Sequence, residues 1–143
     1  MRIADILRGK GSTVATVTQT TTITALLAEL AVRNVGSMVV IGADGVVGIV
    51  SERDVVRKLH EYGPELLRRP VADVMNPVLL TCGPDDRVDD LAALMTDRRV
   101  RHVPVLVDGR LVGIVSIGDV VKNRMREMAA ERQQLQAYIT QGG

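Results

Sequence analysis

VGIVSERDVV occupies residues 47–56 and VGIVSIGDVV occupies residues 112–121. The two stretches lie 65 positions apart and differ only at neighbouring positions, Glu52-Arg53 against Ile117-Gly118. Each passes from an apolar, β-branched run into Ser, with Asp three residues further on. That is the signature of a strand feeding a helix. Ser at the N-cap and an acid at the third helical position can satisfy each other's backbone N–H groups. The acid also complements the positive end of the helix dipole. The same corner can serve a ligand: a helix start presents N–H groups to an anion, and an ionised Asp offers two oxygens to a diol.

The duplication extends outward from this junction. RNVGSMVVI (33–41) lies over RRVRHVPVL (98–106), and TTTITALLAEL (20–30) over DDRVDDLAALM (85–95), at the same offset of 65. Near the start the offset becomes 68, with IADIL (3–7) over VADVM (71–75). Each copy reads as a helical turn (Ile3–Leu7; Val71–Met75), an extended piece (Thr13–Thr16; Val78–Thr81), and a helix. That helix carries Leu26, Leu27 and Leu30 on one face, matched by Leu91, Ala92 and Met95. Pro84, Asp85 and Asp86 suit the helix entry in the second copy. Two strands follow, Ser37–Ile41 and Val46–Val50, then His102–Leu106 and Leu111–Val115, turned at Asp44-Gly45 and Asp108-Gly109. A second helix starts at Ser51 and at Ser116. The expected fold is α/β (α+β), a tandem β-α-β-β-α repeat with both copies packed on one shared apolar core. The first repeat spans 1–62, a breaker-rich linker 63–70, the second repeat 71–125, and a helical extension 126–143.

Composition narrows the function. The chain has 143 residues and a net charge of +1, the size of one compact domain. It is 46% hydrophobic yet has no Phe or Trp and only Tyr62 and Tyr138, so the core must be aliphatic. A balanced charge argues against a nucleic-acid binder, and the missing aromatics remove stacking platforms for single strands. One cysteine, Cys82, allows no internal disulfide, and the two histidines give no metal-ligand spacing. MRIADILRGKG at the start carries no secretory apolar run, and no apolar stretch is long enough to span a bilayer. A cytoplasmic protein, without membrane or nucleic acid as partner, is expected. No P-loop or dinucleotide fingerprint appears, and Cys82 has no His near it in sequence, so an enzyme is not expected.

Two in-phase copies of V-G-I-V, S-x-x-D and a helix, each behind an Asp-Gly hairpin, resemble a pair of CBS domains, the Bateman module. The resemblance covers about residues 3–125. It implies pseudo-two-fold packing of the repeats and two clefts, each a site for an adenosine-containing ligand: AMP, ADP, ATP, or NAD or S-adenosylmethionine. In the first cleft it puts Ser51 and Asp54 at the ribose, Leu79 and Leu80 at adenine, and Val100 and Pro104 on the wall. It sets Arg101 and His102 where family members carry a phosphate-holding pair in the order His then Arg, here reversed. Arg53, at the helix start, could add a charge-assisted contact. In the second cleft it puts Ser116 and Asp119 at the ribose, Val14 and Ala15 at the base, and Val35 and Gly36 on the wall. Gly36-Ser37 and Gly118 replace Arg101-His102 and Arg53 there, so this cleft is expected to lack cations and to bind weakly, to take adenosine-like groups, or to stay empty. The nucleotide would be a regulatory ligand rather than a catalytic cofactor.

After the second copy, Val121, Met125, Met128, Leu135 and Ile139 fall at alternating steps of four and three, with Arg132 in the seam. Such a stripe either folds back on its own domain or joins a second chain. The resemblance favours a homodimer and a sensor that signals to a protein target. The rival reading is a ligand-independent interaction adaptor whose clefts are vestigial.

Overall fold

The computed structural model describes residues 1–11 and 13–142. The elements run α1 (Ile3–Lys10), β1 (Thr16–Thr18), α2 (Ile23–Arg33), β2 (Ser37–Gly42), β3 (Gly45–Ser51), α3 (Glu52–Tyr62), α4 (Val88–Arg98), β4 (His102–Val107), β5 (Arg110–Ser116) and α5 (Ile117–Gly142). Two 3-10 segments, Gly63–Arg68 and Val71–Asp73, lie between α3 and α4. This is the mixed α+β tandem repeat that the sequence implies.

Local chemistry accounts for the elements. In α2, Thr22 caps the start by accepting the Ala25 N–H at 3.2 Å, and Asn34 ends it in the left-handed region. Ile23, Leu26 and Leu30 form its buried face, the spacing of an amphipathic helix. Val88, Leu91 and Met95 do the same for α4, which ends on a left-handed Arg99. The entry to α4 lies later than Pro84 and the acidic pair: Arg87 is the N-cap, while the Asp86 carboxylate accepts the Gly83 N–H at 2.8 Å. Both hairpins pair antiparallel, Met38 opposite Val50 and Val103 opposite Val115. Both also bulge one residue before the strand glycine: Val47 and Val112 have no partner across the ladder. The turns differ. Asp108-Gly109 is the two-residue turn of the second hairpin, both residues at positive φ, as a primed turn requires. In the first, Ala43-Asp44 makes the turn and Gly45 already opens β3.

The opening strand falls later than the sequence implied. Thr16–Thr18 pairs parallel with Val39–Ile41, because Val17 is the residue that can turn inward to the core. Its equivalent is Cys82, which pairs alone with Val105, so residues 78–81 are not a strand.

Two apolar clusters stand where one shared core was expected. One gathers Val17, Leu26, Met38, Val50 and Val55, and the other Val88, Leu91, Met95, Val103 and Val115. The chain stitches them together by exchange. Ile3 and Ile6 of α1 are buried in the second cluster, whereas Val71 and Val74 are buried in the first. Matching hydrogen bonds hold the exchanged segments. Ile3 N–H donates to Asp86 O and Val88 N–H to Met1 O; Val71 N–H donates to Thr21 O and Ile23 N–H to Arg69 O. Every one of these residues maps onto its counterpart by the offsets of 65 and 68. The connecting stretch joins the first cluster too, with Leu66 fully buried. A unit of this size buries too little surface to be secure alone, and each is completed by the other's leading segment.

Candidate functional site

The two Ser-x-x-Asp junctions form at the ends of β3 and β5 as capping pairs. Ser51 Oγ accepts the Asp54 N–H at 3.2 Å, and Asp54 Oδ2 accepts the Ser51 N–H at 2.9 Å and the Ser51 hydroxyl at 2.8 Å. Ser116 Oγ accepts the Asp119 N–H at 3.1 Å and Asp119 Oδ2 the Ser116 N–H at 2.9 Å. The helix starts are less open to an anion than the sequence implied. Glu52 N–H already donates to Gly36 O and Ile117 N–H to Arg101 O. With the third helical N–H held by serine, Arg53 N–H is left without a partner among the described residues of α3's first turn. Asp54 Oδ1 likewise makes no hydrogen bond among them.

Beside Asp54 lies a cavity of about 630 Å³ between the repeats, within the range of roughly 300–1,000 Å³ typical of small-molecule sites. Ser51, Arg53, Asp54, Leu79, Leu80, Val100, Arg101 and His102 all line it. Pro104 does not: it is buried within β4, where its carbonyl accepts the Cys82 N–H at 3.1 Å, so it is removed from the cleft wall. Leu79 carries its side chain largely exposed, and its carbonyl accepts from Arg98 Nη1 at 3.2 Å. Arg57 and Arg99 also line the cavity. Four arginines thus face two carboxylates, Glu52 and Asp54. Neither Arg57 nor Arg99 was read from the sequence: Arg57 had a signal, one helical turn beyond Arg53, whereas Arg99 had none, because it sits at a left-handed helix end. His102 is half-buried, and burial, then the nearby Lys10 charge, holds its imidazole below the ordinary 6.5. It is therefore neutral at pH 7 rather than the cation expected of a basic pair.

Ile49 and Asn76 also line this cavity. Asn76 pairs with Ile49 in both directions at 2.9 Å. The pairing explains Gly48: a Cβ there would sit 2.7 Å from Asn76 O. At Gly113 it would sit 2.6 Å from Leu7 Cδ2 of α1. Both glycines make room for the exchanged segments, not for a ligand.

The second set of residues comes together less fully. Ser116 and Asp119 cap α5, and Ala15 O accepts the Val39 N–H at 3.2 Å with Val14 half-buried beside it. Gly36 lines the first cavity, and Val35 and Gly36 line a separate hollow of about 310 Å³ against α2. The expected lack of cations is overturned here. Lys10 Nζ, from the end of α1, donates to Asp119 Oδ2 at 2.6 Å and to Ile114 O at 2.8 Å. Burial works against the charge on Asp119, but bonds from Lys10 and Ser116 outweigh it and hold the carboxyl below its usual range. Cys82 is buried, which pushes its thiol up to about 12 with help from Asp86; it is no nucleophile at neutral pH. Among the described residues no group of His, Cys, Asp or Glu is placed to hold a metal ion, and no helix is long and apolar enough to cross a membrane.

A duplicated unit whose halves exchange leading segments and leave a cleft over a Ser-x-x-Asp helix start defines a class of paired small modules. The chain belongs to the CBS-domain family: the CBS domain pattern matches residues 4–61 and 71–126. It is 36% identical over 150 aligned residues to the mitochondrial CBS domain-containing protein CBSX3 of Arabidopsis thaliana, covering 99% of this chain and 72% of that one. Among solved structures it is similar to the CBS-domain containing protein ATU1752 from Agrobacterium tumefaciens, with 38% identity and a TM-score of 0.81 over 87% of this chain and 99% of that one. It is also similar to the CBS domain protein PAE2072 from Pyrobaculum aerophilum, solved in complex with AMP, with 31% identity and a TM-score of 0.73 over 83% and 89%.

Proposed function

We propose that this chain is a regulatory module that binds an adenosine nucleotide in the cavity beside Asp54. The observation that carries the reading is the pairing of a diol acceptor with cations in one cavity. Asp54 Oδ1 lacks a hydrogen-bond partner among the described residues, while Arg53, Arg57, Arg99 and Arg101 line the same space. A ribose would donate to that carboxylate and a phosphate chain would take the guanidinium groups, which match phosphate oxygens two at a time. Leu80 and Val100 offer apolar contact to the base. The AMP bound by the similar PAE2072 protein supports the same ligand class. Ligand bridges residues of both repeats, so it favours whichever packing of the halves it binds better, by no more than its differential affinity.

The module works as a homodimer in this reading. Val121, Met125, Met128, Leu135 and Ile139 are all more than half exposed along α5, an apolar stripe that a second copy of the helix can cover. Thermal unfolding with AMP, ADP, ATP, NAD and S-adenosylmethionine tests the ligand. A compound at about 100 times its dissociation constant should add about 2.7 kcal/mol, and Asp54→Ala should remove the largest shift. No shift with any of them, together with capture of a protein target through α5, would favour a ligand-independent adaptor instead.

A further inference from the structure

The four arginines of the cavity beside Asp54 come from both repeats: Arg53 and Arg57 from α3, Arg99 and Arg101 from the stretch between α4 and β4. Arginines elsewhere hold carboxylates, as Arg33 holds Glu29 and Arg69 holds Asp73. None of the four guanidinium groups in the cavity makes a hydrogen bond or an ion pair among the described residues, although Glu52 and Asp54 line the same space. Local chemistry opposes three of them. Arg53 stands in the first turn of α3, where the helix dipole favours acids. Arg57, four residues on, shares its face, and like charges at that spacing destabilise a helix. Arg99 holds φ 55, a region that Asn enters more readily than a long side chain. The equivalent positions of the other repeat hold Gly118, Lys122 and Asn34, and Gly36 stands opposite Arg101. Residues kept against local preference mark functional positions, and these converge on one cavity.

We propose that the cavity selects a nucleoside polyphosphate over a nucleoside monophosphate, and that Arg57 and Arg99 set the preference. The inference rests on reading the cavity as an adenosine site. A terminal phosphate offers three strong acceptor oxygens, and a guanidinium takes oxygens two at a time. One phosphate therefore cannot occupy four guanidinium groups, whereas a chain of two or three can. Each phosphate beyond the first engages arginines that AMP leaves free, and spans from the α3 wall to the Arg99–Arg101 wall. Charge points the same way. Four arginines against two carboxylates leave an excess of two positive charges, and Asp54 already gives Oδ2 to its own serine. S-adenosylmethionine, with a sulfonium and an ammonium, would bring cations to these cations and is disfavoured.

Calorimetric titration of the full chain, with no divalent cation added, tests this with adenosine, AMP, ADP, ATP, S-adenosylmethionine and inorganic tripolyphosphate as separate probes. Affinity should rise from adenosine through AMP and ADP to ATP. The step from AMP to ATP should be worth at least about tenfold, the strength of one hydrogen bond to a charged group. Added salt should weaken ATP more than adenosine, and tripolyphosphate should displace ATP. Arg57→Gln and Arg99→Asn should each lower the ratio of ATP to AMP affinity, and the double variant should lower it most. Both side chains are exposed, and Asn is what the first repeat carries at its own left-handed helix end, Asn34, so the fold tolerates the changes. AMP bound as tightly as ATP, or more tightly, overturns the preference and leaves the adenosine reading standing. An ATP preference unchanged in the double variant overturns the role of Arg57 and Arg99. Tripolyphosphate bound by a chain that binds no adenosine compound keeps the arginine site and overturns the adenosine reading; binding of none of the probes overturns both.

Discussion

Asp54 and Asp119 each hold the N–H of their own serine at 2.9 Å, yet one faces a cavity lined with arginines and the other a lysine from its own chain. The cap is a local property of S-x-x-D and forms wherever that pattern begins a helix. What lies in front of the cap is set by its own helix and by segments of the partner repeat, and there the copies differ. The two repeats are one scaffold used twice, with different side chains in front of the two caps.

The exchange itself supplies the largest expected effect. Ile3 is fully buried in the second cluster and Val71 in the first. Ile3→Ala should cost about 2–5 kcal/mol, read by urea unfolding, and Val71→Ala somewhat less because fewer buried atoms are lost. A cost near zero for both would mean that the leading segments are not integral to the partner's core.

The strand glycines sharpen the comparison at smaller scale. Alanine at Gly48 would press its Cβ on the backbone carbonyl of Asn76 at 2.7 Å, whereas at Gly113 it meets the far end of the Leu7 side chain at 2.6 Å. Gly48→Ala should therefore cost about 1–3 kcal/mol and weaken nucleotide binding, because Asn76 borders the cavity. Gly113→Ala should cost less and leave that binding unchanged. Equal effects from the two would contradict the roles assigned to the segments.

His102 gives the smallest effect. Burial and the neighbouring Lys10 charge hold its folded value below 6.5, so the unfolded chain takes up its proton first as pH falls. The neutral imidazole's contribution to stability is complete above 6.5, is lost as pH drops from there to the folded value, and then stays constant. His102→Gln should flatten that part of the stability profile. A slope unchanged by the substitution would assign it to other groups. An anionic ligand in the cavity favours the protonated form, so affinity for ATP should rise on acidification across the same window.

Much of this was legible in the chain because it is local. The hairpins follow from β-branched runs around a turn, the helix starts from S-x-x-D, and the buried helix faces from Leu26, Leu30, Leu91 and Met95. The arginine side of the first cleft was legible in part, through Arg53 and Arg101. What approaches the strand glycines was not legible, since the close groups, Asn76 O and the Leu7 side chain, come from distant segments of the chain itself. Lys10 was missed because its role depends on how far α1 continues and on which repeat α1 packs against. A signal existed: the offset of 68 that sets IADIL over VADVM also sets Gly9 over Pro77. The shared core was misjudged because hydrophobic periodicity says which face is buried, not which repeat buries it.

The central claim is that the two carboxylates, identical in sequence context, are unequal in use. Titration of AMP and ATP into Asp54→Ala and Asp119→Ala, side by side with the wild type, tests it most directly. A lost hydrogen bond to a charged group is worth about 1.5–3 kcal/mol, so Asp54→Ala should weaken the stronger-binding nucleotide by about tenfold to more than a hundredfold. Asp119→Ala should leave that affinity within about a factor of two, since Asp119 does not line the cavity beside Asp54. Equal losses in the two variants, or a loss confined to Asp119→Ala, would contradict the account.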